Sequence, residues 1–146
     1  KMAVAERHRN TGHLGVCYVQ GYGLKRGAVA TSIAHDSHNL IAVGASEEDM
    51  ALAMNQVRSL GGGMAVVEDG RVTAQLPLPV AGLMSEAPLP QVNAALNAAR
   101  AQAQRQGVNP GIDPFMTLSF MSLPVIPTLR LLTRGAFHVE KWQYVE

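Results

Sequence analysis

Short apolar runs separated by turn-forming residues predict strands in the first part of the chain. Residues 14–19, 28–33 and 40–44 are rich in Val, Ile, Ala and Leu, and Gly, His, Asp and Ser residues lie between them. Runs of this length and composition are typical of β-strands. We therefore expect three mostly buried strands joined by tight connections.

The apolar pattern changes to helical spacing after Ser46. Ser46 is a suitable N-cap, Asp49 would complete a capping box, and carboxylates in the first turn favour the helix dipole. Gly61 can adopt the left-handed backbone conformation that ends a helix. The apolar positions that recur at helical spacing are Met50, Ala53, Met54, Val57 and Leu60.

Two hairpins are predicted from turn residues that lie between extended runs. Asp69-Gly70 separates residues 64–68 from 71–76, and this dipeptide readily adopts a two-residue hairpin turn. Near the end of the chain, Thr133-Arg134-Gly135 separates residues 128–132 from 136–145. The second pattern predicts a closing hairpin.

Two further helices and a Pro-rich arm complete the prediction. An Ala- and Gln-rich helix is expected over residues 90–106, and Asp113-Pro114 would begin a short helix that ends at Met121. Prolines within residues 76–83, the Pro-rich arm, prevent a central strand, so the arm should cross this protein's surface or a partner's. Together, these elements predict an α+β fold in which residues 1–146 form one domain with a mixed or antiparallel sheet and two to three helices.

Composition and charge restrict the possible functions. Twelve basic and 11 acidic residues give a formal net charge of +1, which provides no global field for nucleic acid or an anionic membrane. Gly and Pro interrupt the apolar runs before they reach membrane-spanning length. The single cysteine, Cys17, and the absence of a secretory core at the start favour a cytoplasmic protein. The absence of Met at position 1 indicates an excised or processed piece.

The densest polar chemistry lies at His35, Asp36, Ser37 and His38, in a loop between two predicted strands. Two imidazoles, a carboxylate and a hydroxyl can bind a metal, relay a proton or hydrogen-bond a nucleobase. They can equally fasten a turn through bonds to the backbone, or contact a ligand or a neighbouring domain. The other histidines show no zinc-ligand spacing, so the residues alone leave these alternatives open.

Two Gly-rich stretches have simpler explanations than ligand binding. Residues 61–63 follow a predicted helix and precede a strand, which reverses the order of a phosphate-binding loop. Residues 21–27 contain Lys25-Arg26, a cation pair that could meet an anion or an acidic surface. A plain turn is the favoured interpretation of the second stretch.

Six segments, spread over most of the chain, carry a family resemblance. They are residues 21–28, 34–39, 48–53, 60–63, 76–83 and 114–120, and Ala34-His35-Asp36-Ser37-His38-Asn39 is the most distinctive. In this order they resemble the carboxy-terminal region of bacterial-type adenine deaminases of the amidohydrolase superfamily. No single segment would suffice.

The resemblance implies a hydrolase of purine salvage that converts adenine and water to hypoxanthine and ammonia. In this family a metal-activated water acts in an amino-terminal β/α barrel, and the expected metal is manganese or iron. This sequence has no His-x-His, with which such barrels begin their metal site, so the family's ligands have no matching positions here. We expect this chain to bind no metal or other cofactor and to be inactive alone.

The resemblance also implies partners for this chain. They are the catalytic barrel of the same protein, adenine as substrate of the whole enzyme, and further copies in a homo-oligomer. We expect His35, Asp36, Ser37 and His38 to lie at the barrel contact or the mouth of the substrate pocket. The alternatives are a structural or oligomerisation module that uses the Pro-rich arm and residues 115–126, and a free-standing small-molecule-binding domain.

Overall fold

The computed structural model describes residues 1–145, within which nine strands and three helices are defined. In chain order these are β1 (Met2–Ala5), β2 (Leu14–Cys17), β3 (Ala28–Thr31), β4 (Leu40–Gly44), α1 (Glu47–Ser59), β5 (Gly63–Glu68), β6 (Arg71–Pro77), α2 (Leu89–Arg105), α3 (Pro114–Met121), β7 (Leu129–Leu132), β8 (Gly135–His138) and β9 (Gln143–Tyr144).

Six strands form an antiparallel sheet in the order β2-β1-β4-β3-β5-β6. The predicted α+β class is confirmed, and β2, β3 and β4 lie within the three predicted runs. β1 was not predicted, yet it is an internal strand that pairs with β2 on one side and β4 on the other. The tight connection expected between β2 and β3 is wrong, because β1 and β4 separate these two strands in the sheet.

The two faces of this sheet differ in the size of their side chains. Small residues line the face that packs against α1 and allow the helix to lie close to the strands. At Gly44 an added Cβ would lie 2.1 Å from Cγ of Met50, a helix residue. Larger residues such as Ile41 and Val66 line the opposite face and pack with Ala99 of α2 and Leu118 of α3. The sheet is therefore covered by helices on both sides.

The capping prediction for α1 is confirmed at Ser46 but not at Asp49. The Ser46 hydroxyl accepts a hydrogen bond from the Asp49 amide at 3.1 Å, as an N-cap does. The Asp49 carboxylate does not make the predicted capping-box bond; it accepts a bond from the Gly70 amide at 2.8 Å instead. This side chain therefore joins the start of α1 to the β5–β6 turn.

The closing segment forms a second, three-stranded sheet in the order β7-β8-β9. The predicted hairpin is β7–β8, but the single long strand expected over residues 136–145 is wrong. Trp142 has a φ of +52°, and this turn conformation divides the segment into β8 and β9.

The Pro-rich arm begins at the outer edge of the large sheet, where β6 ends at Pro77. A proline is tolerated there because an edge strand has backbone groups without a strand partner. Leu76 and Leu78 are buried, while Pro79 and Val80 are exposed, so the arm crosses the surface with two anchored side chains. Among residues 1–145, no helix is long and apolar enough to cross a membrane.

Candidate functional site

Four segments that are distant in sequence meet at one end of the large sheet. They are the β1–β2 loop, the β3–β4 loop, the turn at residues 61–63 and the Pro-rich arm. Ser32 joins three of them, because its hydroxyl accepts a bond from the Gly63 amide at 2.8 Å and donates one to the Gly82 carbonyl at 2.6 Å. Ser32 is fully buried and has a structural role.

Arg7 connects the β1–β2 loop to the other segments. Its Nε donates to the His38 carbonyl at 2.6 Å, and Nη2 donates to the Ala81 carbonyl at 2.8 Å. The guanidinium packs so closely on Gly82 that an added Cβ would lie 2.7 Å from Nη2. Burial lowers the pKa of Arg7 from its usual value. Nothing in the sequence around Arg7 indicates this contact.

The β3–β4 loop holds its two histidines near each other. The His35 amide donates to the Ser119 carbonyl at 2.8 Å, and the His35 ring stacks on Phe120 with 4.9 Å between centroids. The His38 amide donates to the Ala34 carbonyl, and the two imidazole centroids are 5.7 Å apart. Both rings are half-buried, and the His35 ring lies against α3, which was not expected at this site from the sequence.

Asp36 and Ser37 are exposed at the tip of the same loop. Oδ1 of Asp36 is 3.9 Å from Nδ1 of His35, and the Ser37 carbonyl accepts a hydrogen bond from Nε2 of His8 at 2.7 Å. The structure therefore brings His35 and His38 together and presents Asp36 and Ser37 to the surroundings. His8, which was not expected here from its position in the sequence, belongs to the same cluster.

His38 carries the strongest sign of a site that is incomplete within this chain. Its Nδ1 is buried and has no hydrogen-bond partner among residues 1–145. Burial lowers the pKa of His38, and the nearby charges of His35, Arg7 and His8 lower it further, while Asp36 acts in the opposite direction. Burial and these charges therefore favour the neutral form of the ring, one nitrogen of which has no partner among residues 1–145.

The lowered pKa of His38 predicts a loss of stability in mild acid. Below its usual value of 6.5 the unfolded chain binds a proton more readily than the folded chain, so folding becomes less favourable as pH falls. We expect the free energy of unfolding to decrease as the pH falls through and below about 6.5. Denaturant titrations across this range measure it. His38→Gln should reduce the slope, whereas an unchanged slope in that variant would assign the effect to other groups.

The loop does not form a metal centre within the described chain. Among residues 1–145, no group of three or more His, Cys, Asp and Glu side chains is arranged to hold a metal ion. Two imidazoles alone fall short of the three protein ligands that a catalytic zinc site uses. The residues present therefore do not fit a resident metal, and we derive no step through one.

The remaining sequence motifs have structural roles. Gly61 and Gly62 adopt positive φ angles between α1 and β5, as expected for a helix stop before a strand. In the second Gly-rich stretch, the Lys25 amide donates to the Gln106 carbonyl, and Arg26 pairs with Glu68. Burial raises the pKa of Cys17, which disfavours the thiolate that a nucleophile would need.

The similarity of this chain to a known family defines the class of domain. A family described as the adenine deaminase C-terminal domain matches residues 1–143. The match begins at β1 and ends in β9, so it includes both sheets and all three helices. The chain belongs to the adenine deaminase C-terminal domain family.

Curated relatives agree with this assignment. The chain is 53% identical over 147 residues to the adenine deaminase of Listeria welshimeri, 48% identical over 145 residues to adenine deaminase 2 of Carboxydothermus hydrogenoformans, and 43% identical over 145 residues to the adenine deaminase of Bacillus subtilis. Each match covers 99% of this chain and 25% of the relative. The chain therefore spans about a quarter of the length of these relatives.

Proposed function

We propose that residues 1–146 are the carboxy-terminal domain of an adenine deaminase, which converts adenine and water to hypoxanthine and ammonia in purine salvage. The observation that carries the proposal is the match itself, because nearly all of this chain aligns with relatives named adenine deaminase at 43–53% identity. The domain would pack on an amidohydrolase-type barrel formed by the rest of the polypeptide. Such an enzyme would act in the cytoplasm.

The donor groups of this chain indicate that the metal of the enzyme would be bound by the barrel. Hydrolysis by a metal-activated water needs a cation with an open coordination position, and residues 1–145 provide no ligand group for one. Manganese or iron, bound in the barrel, would supply the activated water. We therefore propose no metal or other cofactor for this chain and expect it to be inactive alone.

This chain's contribution is assigned to His35, Asp36, Ser37 and His38. The loop lies at a sheet end, and two of its side chains are exposed for contact with the barrel or the pocket mouth. The His38 ring has a buried Nδ1 without a partner among residues 1–145, and such an atom can bond a backbone group of the barrel or a ring nitrogen of the purine. Its role would be to position, since the loop offers no complete catalytic set.

The test is alanine replacement of His35 and His38 in the full-length enzyme. We expect each variant to release ammonia from adenine at least fivefold more slowly, with a shift in KM if the loop touches substrate and in kcat if it positions the barrel. Thermal unfolding should shift by only a few degrees. His138→Ala is the matched control, because His138 is a half-buried histidine of the other sheet.

If a lower melting temperature fully explains the lower activity of these variants, the two histidines only stabilise the β3–β4 loop. Full activity at unchanged stability would contradict any role for them at the barrel contact. Both outcomes leave the family assignment intact and concern only the loop.

A homo-oligomer is proposed from apolar side chains that are exposed directly after the Pro-rich arm and on α3. Met84 and Met116 are each more than half exposed in this structure, whereas apolar side chains of this size are usually buried. Light scattering on this chain and on the full-length enzyme would give their masses. Monomers in both would contradict the proposal.

A further inference from the structure

The edge strand β2 has one covered face and one open face. Its side chains alternate, as in any strand, so Gly15 and Cys17 point to one side while Leu14 and Val16 point to the other. Tyr18 continues the second set beyond the end of the strand. The exposed fractions of Leu14, Val16 and Tyr18 are 56%, 55% and 83%.

The covered face shows that β2 is not simply a frayed edge. The β7–β8 turn packs on Gly15 so closely that an added Cβ would lie 1.9 Å from the Leu132 carbonyl oxygen. Cys17 packs against the larger hydrophobic core on the same side. One face of the strand is therefore held in a specific close contact, while its other face remains apolar and exposed. Mostly buried strands were expected, and for β2 that expectation is wrong.

A groove separates the open face of β2 from helix α1. The helix packs over β3, β4, β5 and β6, which leaves the β2 side of the sheet without a helix above it. The groove contains a cavity of about 550 Å³, whose apolar wall includes Leu14, Leu40 and Met54. This volume is enough for several side chains of a docked segment.

The rim of the cavity is positively charged. Arg7 and Arg58 line it, and among residues 1–145 Glu6 is the one acidic side chain of the lining. Glu6 is used by its own loop, because its carboxylate accepts bonds from the Thr11, His8 and Arg9 amides. Burial alone would raise the pKa of Glu6, but these bonds lower it to about 2. The rim therefore lacks a free counter-charge of its own.

We infer that the open face of β2 and this groove are the docking surface for the portion of the same polypeptide that precedes β1. The occupant would place an apolar side chain in the cavity and a carboxylate against the cationic rim. The inference rests on the proposed function, since it takes the chain to be the carboxy-terminal quarter of a longer enzyme.

Two observations favour this occupant over others. β1 starts beside the end of β2, where Met2 pairs with Cys17 and Lys1 Nζ lies 5.9 Å from the Tyr18 ring centroid, so the chain that precedes β1 in a longer enzyme would arrive at one end of the open face. At the other end, Arg7 contacts both the cavity and the β3–β4 loop, where the barrel contact is proposed. The open face thus runs without interruption from the chain connection to that loop.

The experiment measures thiol labelling in the full-length enzyme, with Cys17→Ser as background. Val16→Cys places a thiol on the open face, and Val72→Cys places one on β6, the opposite edge of the same sheet. Val72 is less exposed than Val16 in this structure, 36% against 55%, so without an occupant the Val16→Cys thiol should react faster. We expect it to react at least tenfold more slowly. Quantifying the labelled peptides by mass spectrometry separates these sites from other cysteines, and Leu14→Cys provides a second position if Val16→Cys folds poorly.

Faster labelling of Val16→Cys than of Val72→Cys would overturn the inference. Protection that disappears on dilution would also overturn it, because the occupant would then be a second copy of the chain. Ammonia release from adenine is measured on the same background protein. If the enzyme is fully active but β2 is not protected, the result contradicts the docking surface and leaves the proposed function in place. If the enzyme is inactive but β2 is protected, the result contradicts the proposed function and leaves the docking surface in place.

Discussion

Gly62→Ala should lower the free energy of unfolding by about 4 kcal/mol, as the sum of backbone strain and overpacking. Gly62 has a φ of +128°, which L side chains rarely adopt, and an added Cβ would lie 2.2 Å from the Cα of Gly82. That neighbour is backbone, so it cannot rotate out of the way. Chemical denaturation of this chain, followed by circular dichroism, measures the loss.

Gly70→Ala is the matched control for that variant. Gly70 also has a positive φ, +70°, but nothing lies within 4 Å of the added Cβ. The expected loss is about 1 kcal/mol, the cost of left-handed backbone for a residue with a side chain. Equal losses for the two variants would contradict the close approach of the Pro-rich arm to the turn at residues 61–63.

Arg7→Ala should be the next most damaging change, with an expected loss of about 2 kcal/mol in the free energy of unfolding. The guanidinium bonds the carbonyls of His38 and Ala81, and its removal leaves both acceptors without their donor. Its positive charge also lowers the pKa of His38. An NMR titration of the His38 ring should therefore show a higher pKa in Arg7→Ala.

Arg9→Ala is the control for Arg7→Ala, because it removes the same charge without removing the two hydrogen bonds of Arg7. Arg9 carries the same charge two residues further along and is exposed. We expect a change within about 0.5 kcal/mol, as is usual for a surface substitution. Losses of similar size at the two positions would refute the role of Arg7 as a clamp between loops.

Locally encoded elements could be predicted from the sequence. The Ser46 cap and the Gly61 stop lie within a turn of the helix they limit, and Asp69-Gly70 determines its hairpin through two residues. The polar loop at His35 to His38 was likewise evident from composition. In each case the residues that determine the element lie close to it in the sequence.

Features that depend on distant segments could not be predicted. Arg7 becomes a clamp only because residues 31 and 74 positions away in sequence approach it. β1 has four residues and becomes internal only through pairing with β4, so its short apolar run gave little reason to expect a strand. The partners of the histidine loop, Phe120 and His8, were missed for the same reason.

The position of β1 between β2 and β4 has a consequence for how the chain folds. The β1–β2 and β3–β4 ladders each join strands that are consecutive in sequence, whereas the β1–β4 ladder links Met2 to Val43. Closing that longer loop costs more conformational entropy before its hydrogen bonds form. We therefore expect the ladder that unites the two hairpins to form late, and the alanine-lined surface beneath α1 is complete only once this ladder has formed.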